Sequence, residues 1–156
     1  MSQVEMGKKV PAFSAPASGG GETFDLTSVK GKALVMYFYP KDNTPGCTSE
    51  AQDFRDLYPE FAAAGADIVG VSRDSLKSHD NFIAKFDLPF RLLSDADETL
   101  CKLFDVMKQK LMYGRKVLGI ERSTFLIDKK GVLRQEWRKV RVKGHAEEVL
   151  AAVREL

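Results

Sequence analysis

The run ALVMYFY, residues 33–39, constrains the fold more than any other part of the chain. It is apolar throughout, rich in aromatics and of strand length. A strand without polar alternation has to be covered on both faces. The residues that follow supply the cover. Phe54, Leu57, Tyr58 and Phe61 recur at helical spacing, Gly65 is a plausible stop, and Pro59 predicts a kink within that helix. ADIVGVS (66–72) is a second buried strand. After it come a helix with His79, Phe82, Ile83 and Phe86 on one face, a strand at FRLLS (90–94) and a short helix at DETLCKLFDV (97–106).

Such alternation implies parallel strands joined by right-handed crossovers. Hairpins are expected at both ends. SGGGE (18–22) reads as the turn of an N-terminal β-hairpin, and STFLID (123–128) and GVLRQEWRKV (131–140) flank a KKG turn. AEEVLAAVREL closes the chain as a helix. The sum is an α/β protein with a mixed central sheet flanked by helices. By count this is thioredoxin-like, although the count alone leaves a flavodoxin-like arrangement open. A length of 156 residues without repeat, low-complexity tract or long linker predicts a single domain over 1–156.

A net charge of +2 indicates no commitment to nucleic acid or to a membrane. The one basic run, RKVRVK (138–143), reads as a phosphate contact or, more simply, as an exposed strand edge whose charges discourage pairing. No segment has the length of a membrane span or the layout of a signal peptide, so a cytoplasmic protein is expected. Two cysteines in such a chain do not make a disulfide scaffold. Each is therefore either packing or chemistry.

Cys47 sits in YFYPKDNTPGCTSEAQDF (37–54). Thr44 suits an N-cap and Pro45 the first helical position, which places Cys47 third, where a capping box carries glutamate. Free backbone donors and the positive helix end there favour a thiolate. Cys47, Ala51, Phe54 and Tyr58 share one inward side. The alternative is that Cys47 merely packs. A thiolate in a partly apolar pocket needs a cation. Arg122 is the best candidate, standing at the head of RSTFLID and alternating with Ile120, Thr124 and Leu126. An arginine on a covered face must be paired. The thiolate, a structural carboxylate and escape to solvent are all open to it.

YFYPKDNTPGCTSEAQDF together with ERSTFLID closely resembles the peroxiredoxins, nearest the bacterioferritin-comigratory (Q-type) group. The family spacing of proline, three residues, threonine, two residues, cysteine matches Pro40, Thr44 and Cys47, and the distal arginine matches Arg122. The likeness runs from GKKVPAF through LLSDADETLCKLFDV to the last helix. It implies a thioredoxin-like fold and reduction of hydrogen peroxide and organic hydroperoxides. Cys47 would then be the peroxidatic nucleophile, passing to sulfenic acid. Thr44 would align thiolate and peroxide, Arg122 would stabilise both thiolate and developing oxyanion, and Pro40 would shield the sulfur. Glu50 either orients Arg122 or is an ordinary first-turn acid. No metal or organic cofactor is called for.

The sulfenic acid has to be resolved, and here the likeness breaks. Relatives carry a second cysteine five residues after the first, or on the next helix; this chain has Gln52 and Ile83 at those places. Cys101, beside Leu100, Leu103 and Phe104, suits packing. As a resolving thiol its Cα would have to approach that of Cys47 to within about 7 Å. The favoured expectation is a one-cysteine cycle with re-reduction by thioredoxin, glutaredoxin or a low-molecular-weight thiol. Cys101 as resolving cysteine is the lesser one.

Rival functions fare worse. A thioredoxin-type reductase wants a second cysteine where Glu50 stands, and a cysteine hydrolase needs a histidine base. His79 lies on an apolar helix face and reads as packed; His145 follows a glycine and reads as exposed. The alternative from another class is a non-enzymatic protein-binding or holdase module using MKQKLMYG (107–114). Met107, Leu111, Met112 and Tyr113 form no amphipathic pattern there, which leaves a flap, an oligomer contact or a loop packed on the core. A monomer is expected, since no long apolar stripe asks for a partner.

Overall fold

The structure, a computed structural model, describes residues 3–18, 23–29 and 31–156. Its first half runs β1 (Ser14–Ser18), β2 (Thr23–Asp25), a 3-10 turn (Leu26–Val29), β3 (Ala33–Phe38), α1 (Pro45–Ala63), β4 (Ala66–Ser72) and α2 (Leu76–Phe86). The second half runs β5 (Arg91–Ser94), α3 (Thr99–Leu103), β6 (Met107–Met112), β7 (Arg115–Ile120), β8 (Ser123–Ile127), β9 (Leu133–Trp137) and α4 (His145–Arg154).

Seven strands form one sheet in the order β2-β1-β5-β4-β3-β8-β9. β3, β4 and β5 are parallel neighbours, as the strand–helix alternation requires. β8 lies antiparallel to β3, and β9 antiparallel to β8. Those two antiparallel strands exclude the flavodoxin-like arrangement. The fold is thioredoxin-like.

All six residues of β3 are buried, so the pleat divides them between two cores. Leu34, Met36 and Phe38 join Cys101, Phe104 and Phe125 on one face of the sheet. Val35, Tyr37 and the following Tyr39 join Cys47, Phe54 and Phe61 on the other. Gly70 on β4 makes room for the second group. A Cβ there would lie 2.7 Å from Leu92 Cδ2 and 2.9 Å from Tyr37 Cζ. The Tyr37 ring fills that space and stacks on Phe54 at 4.7 Å between centroids, tying the strand to the helix that carries Cys47.

The expected N-terminal hairpin is the β1–β2 pair, Ser14 opposite Asp25; apart from Ser18, the SGGGE turn lies outside the described residues. α1 continues past Pro59 to Ala63, and Gly65 follows in the left-handed region (φ 83°). α3 is shorter than the predicted 97–106. The Asp95 carboxylate takes the N–H groups of Leu100 (2.9 Å) and Cys101 (2.8 Å) at its start. Asp105, at φ 55°, turns the chain away past its end.

Two expectations fail. RKVRVK is no strand edge, because β9 stops at Trp137. Arg138 turns inward instead, giving hydrogen bonds to the carbonyls of Phe104 (2.9 Å) and Asp105 (2.8 Å) and lying over the Phe125 ring. MKQKLMYG is not the loop packed on the core that the sequence also allowed. It is one arm of the β6–β7 hairpin, a separate two-stranded sheet turning at Tyr113 and Gly114, both at positive φ.

Candidate active site

Thr44 is the N-cap of α1, with extended backbone (φ −97°, ψ 156°), and Pro45 opens the helix as predicted. The hydroxyl does not cap. Thr44 Oγ1 donates instead to the Lys41 carbonyl, 2.9 Å away. The first intrahelical N–H is that of Thr48, bonded to Thr44 O at 2.8 Å. The helix thus makes no use of the N–H groups of Gly46 and Cys47. Cys47 is the third helical residue and is 2 % exposed; both cysteines are free thiols.

Register brings Arg122 to this point across 75 residues of chain. Phe38 pairs with Ser123, so Arg122 emerges beside Tyr39, where β3 gives way to the loop before α1. The sequence left three destinations open to its side chain, and two are realised together. Nη1 donates to Glu50 Oε1 at 2.7 Å, and Nη2 points to Cys47 Sγ at 3.4 Å. A planar guanidinium can serve both; a lysine has one ammonium to place. Gly46 clears the approach, since a Cβ there would sit 3.2 Å from Arg122 Nη2.

Glu50 is 1 % exposed and its Oε2 has no hydrogen-bond partner among the described residues. Burial pushes its carboxyl up to about 7, against the lowering pull of Arg122. Of the residues singled out in the sequence, the structure therefore gathers Cys47, Arg122 and Glu50 into direct contact. Thr44 stands one turn before the sulfur, and Pro40 is half-buried just past Tyr39. Cys101 is not part of the group. It belongs to the core on the opposite face of the sheet, where burial and then the Asp95 carboxylate push its thiol well up.

His145 corrects the reading of an exposed residue. Gly144 (φ 75°) turns the chain so that the ring is buried edge-on to Trp137 and Phe54, with Nε2 2.8 Å from Thr124 Oγ1. Burial first, then the charge of Arg122, lowers it to about 4. Its only sequence signal was glycine at the helix start. His79 is fully buried, as expected. Asp42, in the loop beside it, was not singled out at all.

The two buried acid–base groups pull stability in opposite directions with pH. Folded Glu50 keeps its proton longer than the unfolded chain does, so its contribution fades as pH rises from about 4.3 to about 7. Folded His145 refuses a proton that the unfolded chain accepts below about 6.5, so its contribution fades as pH falls toward about 4. Each slope reaches about 1.4 kcal/mol per pH unit. Urea midpoints followed from about pH 5 to about pH 6.5 are expected to rise with pH in Glu50→Gln and to fall in His145→Gln, with the wild type between them.

The AhpC/TSA family matches residues 6–136. Peroxiredoxin Bcp of Xanthomonas campestris is 59 % identical over 143 residues, covering 91 % of this chain and 89 % of the relative. Peroxiredoxin Bcp of Bacillus subtilis is 50 % identical over 153 residues, covering 98 % and 97 %. Among solved structures, a PrxQ variant of Xylella fastidiosa superposes with a TM-score of 0.92 at 45 % identity, covering 99 % of this chain and 98 % of that one. The chain belongs to the AhpC/TSA family and, within it, to the peroxiredoxins of the Bcp, or Q, type, which are thiol-dependent peroxidases.

Proposed function

We propose that the chain works as a single-domain monomer of the cytoplasm. It reduces hydrogen peroxide and organic hydroperoxides at Cys47 and is restored by an external thiol. The observation that carries this reading is the bidentate Arg122, which touches the sulfur with one nitrogen and Glu50 with the other. The Cys47 thiolate attacks one peroxide oxygen, the O–O bond breaks, and the second oxygen departs as hydroxide or alkoxide and takes up a proton. Sulfur loses two electrons and becomes S–OH. Arg122 faces the charge as it moves from sulfur to leaving oxygen, held in place by Glu50. Thr44 aligns the peroxide, and Pro40 walls off bulk water. The Bcp protein of Xanthomonas campestris, a close relative, has been studied for alkyl peroxide reduction, which supports the organic substrates.

An external thiol then attacks the sulfenic sulfur, releasing water and leaving a mixed disulfide. A second thiol frees Cys47. Gln52 and Ile83, at the places where the family resemblance leads one to expect a second cysteine, and the burial of Cys101 in the other core support this one-cysteine cycle. Thioredoxin, glutaredoxin and small thiols are the candidate reductants, and neither nucleic acid nor membrane takes part. No helix among the described residues is long and apolar enough to cross a membrane.

The test is mass spectrometry with a thiol-blocking tag after one equivalent of peroxide. Oxidation is expected on Cys47 alone, with Cys101, buried in the folded chain, taking up the tag once the oxidised protein is unfolded for labelling. Cys101→Ser should oxidise within about twofold of the wild-type rate. An intramolecular disulfide consuming both thiols would overturn the cycle.

A further inference from the structure

The chemistry above leaves a buried polar cluster beside the site unused. Asp42 lies midway between Pro40 and Thr44 and is 6 % exposed, while His79, in the first turn of α2, is 0 % exposed. Asp42 Oδ1 accepts from the Tyr39 hydroxyl at 2.6 Å. Asp42 Oδ2 accepts from Ser78 Oγ at 2.8 Å and lies 2.7 Å from His79 Nδ1. The other ring nitrogen, Nε2, lies 2.9 Å from the Leu93 carbonyl.

A carbonyl can only accept, so Nε2 must carry a hydrogen. The contact between Nδ1 and the carboxyl then needs a proton of its own, whichever side holds it. With that proton the pair is a closed bond between the loop and α2. Without it, a buried carboxylate would face a nitrogen lone pair, an arrangement burial makes costly.

The same residue is gripped by its backbone. Asp42 N–H donates to Asp74 Oδ2 at 2.8 Å, and that oxygen also takes the Ser72 hydroxyl at 2.6 Å. The N–H of Asp42 and the carbonyl of Lys41 belong to one planar peptide unit. That carbonyl is the acceptor for Thr44 Oγ1. Fixing the 41–42 peptide from the Asp42 side therefore fixes which way the Thr44 hydroxyl points. Next to it Asn43 is in the left-handed region (φ 59°), and the hydrogen bond its side chain makes among the described residues is an exposed one from Lys85 at 3.2 Å.

We propose that Asp42 and His79 are positioning residues for peroxide reduction: their buried, proton-sharing bond locks the 41–42 peptide and thereby aims the Thr44 hydroxyl. This rests on the role given to Thr44 above. Neither side chain touches the reacting atoms; both act through the loop.

The test is a double-mutant cycle read as the second-order rate constant for Cys47 oxidation by hydrogen peroxide, on proteins shown by circular dichroism to be folded. Asp42→Ala and Thr44→Val are each expected to slow oxidation by about tenfold or more. In the Thr44→Val background, removing Asp42 should cost less than about twofold further, because the group it aims is already gone. Asp42→Asn keeps a donor for a neutral His79 ring and should stay within about threefold of wild type. If Asp42→Ala does not fold, His79→Gln takes its place in the cycle, since its amide cannot bridge Asp42 and the Leu93 carbonyl together.

A fast Thr44→Val protein would sink the role of Thr44 and the latch with it. A slow Thr44→Val with effects that multiply would sink the latch alone. So would a single Asp42→Ala or His79→Gln variant within about twofold of wild type, or an Asp42→Asn protein as slow as Asp42→Ala.

Discussion

Cys47→Ser is expected to end peroxide consumption, lowering the rate constant by more than about 10³-fold, while the protein stays folded. A serine hydroxyl is nearly the size of the thiol and fits the third helical position, so α1 and its packing should persist. Melting of the variant should stay within about 1 kcal/mol of the wild type in unfolding free energy. What is lost is the thiol that touches Arg122. Stopped-flow decay of peroxide, run beside a thermal melt, checks both halves. A variant retaining a tenth or more of the rate would place the reactive sulfur elsewhere. The same protein separates the rival class of function. Leu111 is 75 % exposed and Tyr113 fully so on the β6–β7 hairpin, and a client-binding role there would survive the loss of the thiol.

The second large effect belongs to Arg122→Met. It removes the guanidinium in contact with the sulfur and strands Glu50 inside the protein. Loss of a preorganised donor of this kind costs about 10²–10³-fold in rate. Stability should suffer in a pH-dependent way. Arg122 is what holds the Glu50 carboxyl down, so without it the carboxyl rises beyond about 7. At acid pH Glu50 is neutral in both proteins and the variant is little affected. At alkaline pH the wild type keeps its pair, and the variant must either bury a lone carboxylate or hold a proton against solvent. The loss there is expected to reach about 3–5 kcal/mol, as for other broken buried pairs. Urea unfolding at about pH 5 and about pH 8 reads the difference. Equal losses at both values would show that the pair contributes nothing electrostatic. Arg122→Lys should recover less than half of the rate deficit on a logarithmic scale, since one ammonium cannot face Glu50 and Cys47 together.

The features legible in the sequence were those with local causes. The run of β3 announced burial on two faces, and Thr44-Pro45 announced the helix start that places Cys47 in its first turn. Spacing also gave Arg122 a strand and a face. It did not give the residue opposite, because register across 75 residues is a property of the sheet. The missed hairpin has a different cause. β6 and β7 pair with each other and lie outside the seven-stranded sheet, so no buried face imposed an alternation of apolar residues. Tyr113-Gly114 was the one local clue, a pair of left-handed residues at the turn. Arg138 and His145 went astray for a shared reason. Each looked polar and therefore outward, yet each finds acceptors or rings inside that only the folded chain assembles. Asp42 escaped because a loop aspartate has no period to betray it.

A seven-stranded wall separates the two sulfurs, one in each core. The chain therefore keeps no internal ledger of the oxidant it meets: with its sheet and helices intact it cannot park a spent Cys47 against its other sulfur. In the one-cysteine cycle proposed above, each turnover then ends in an encounter with a second solute, and throughput in a peroxide burst would follow the supply of that donor.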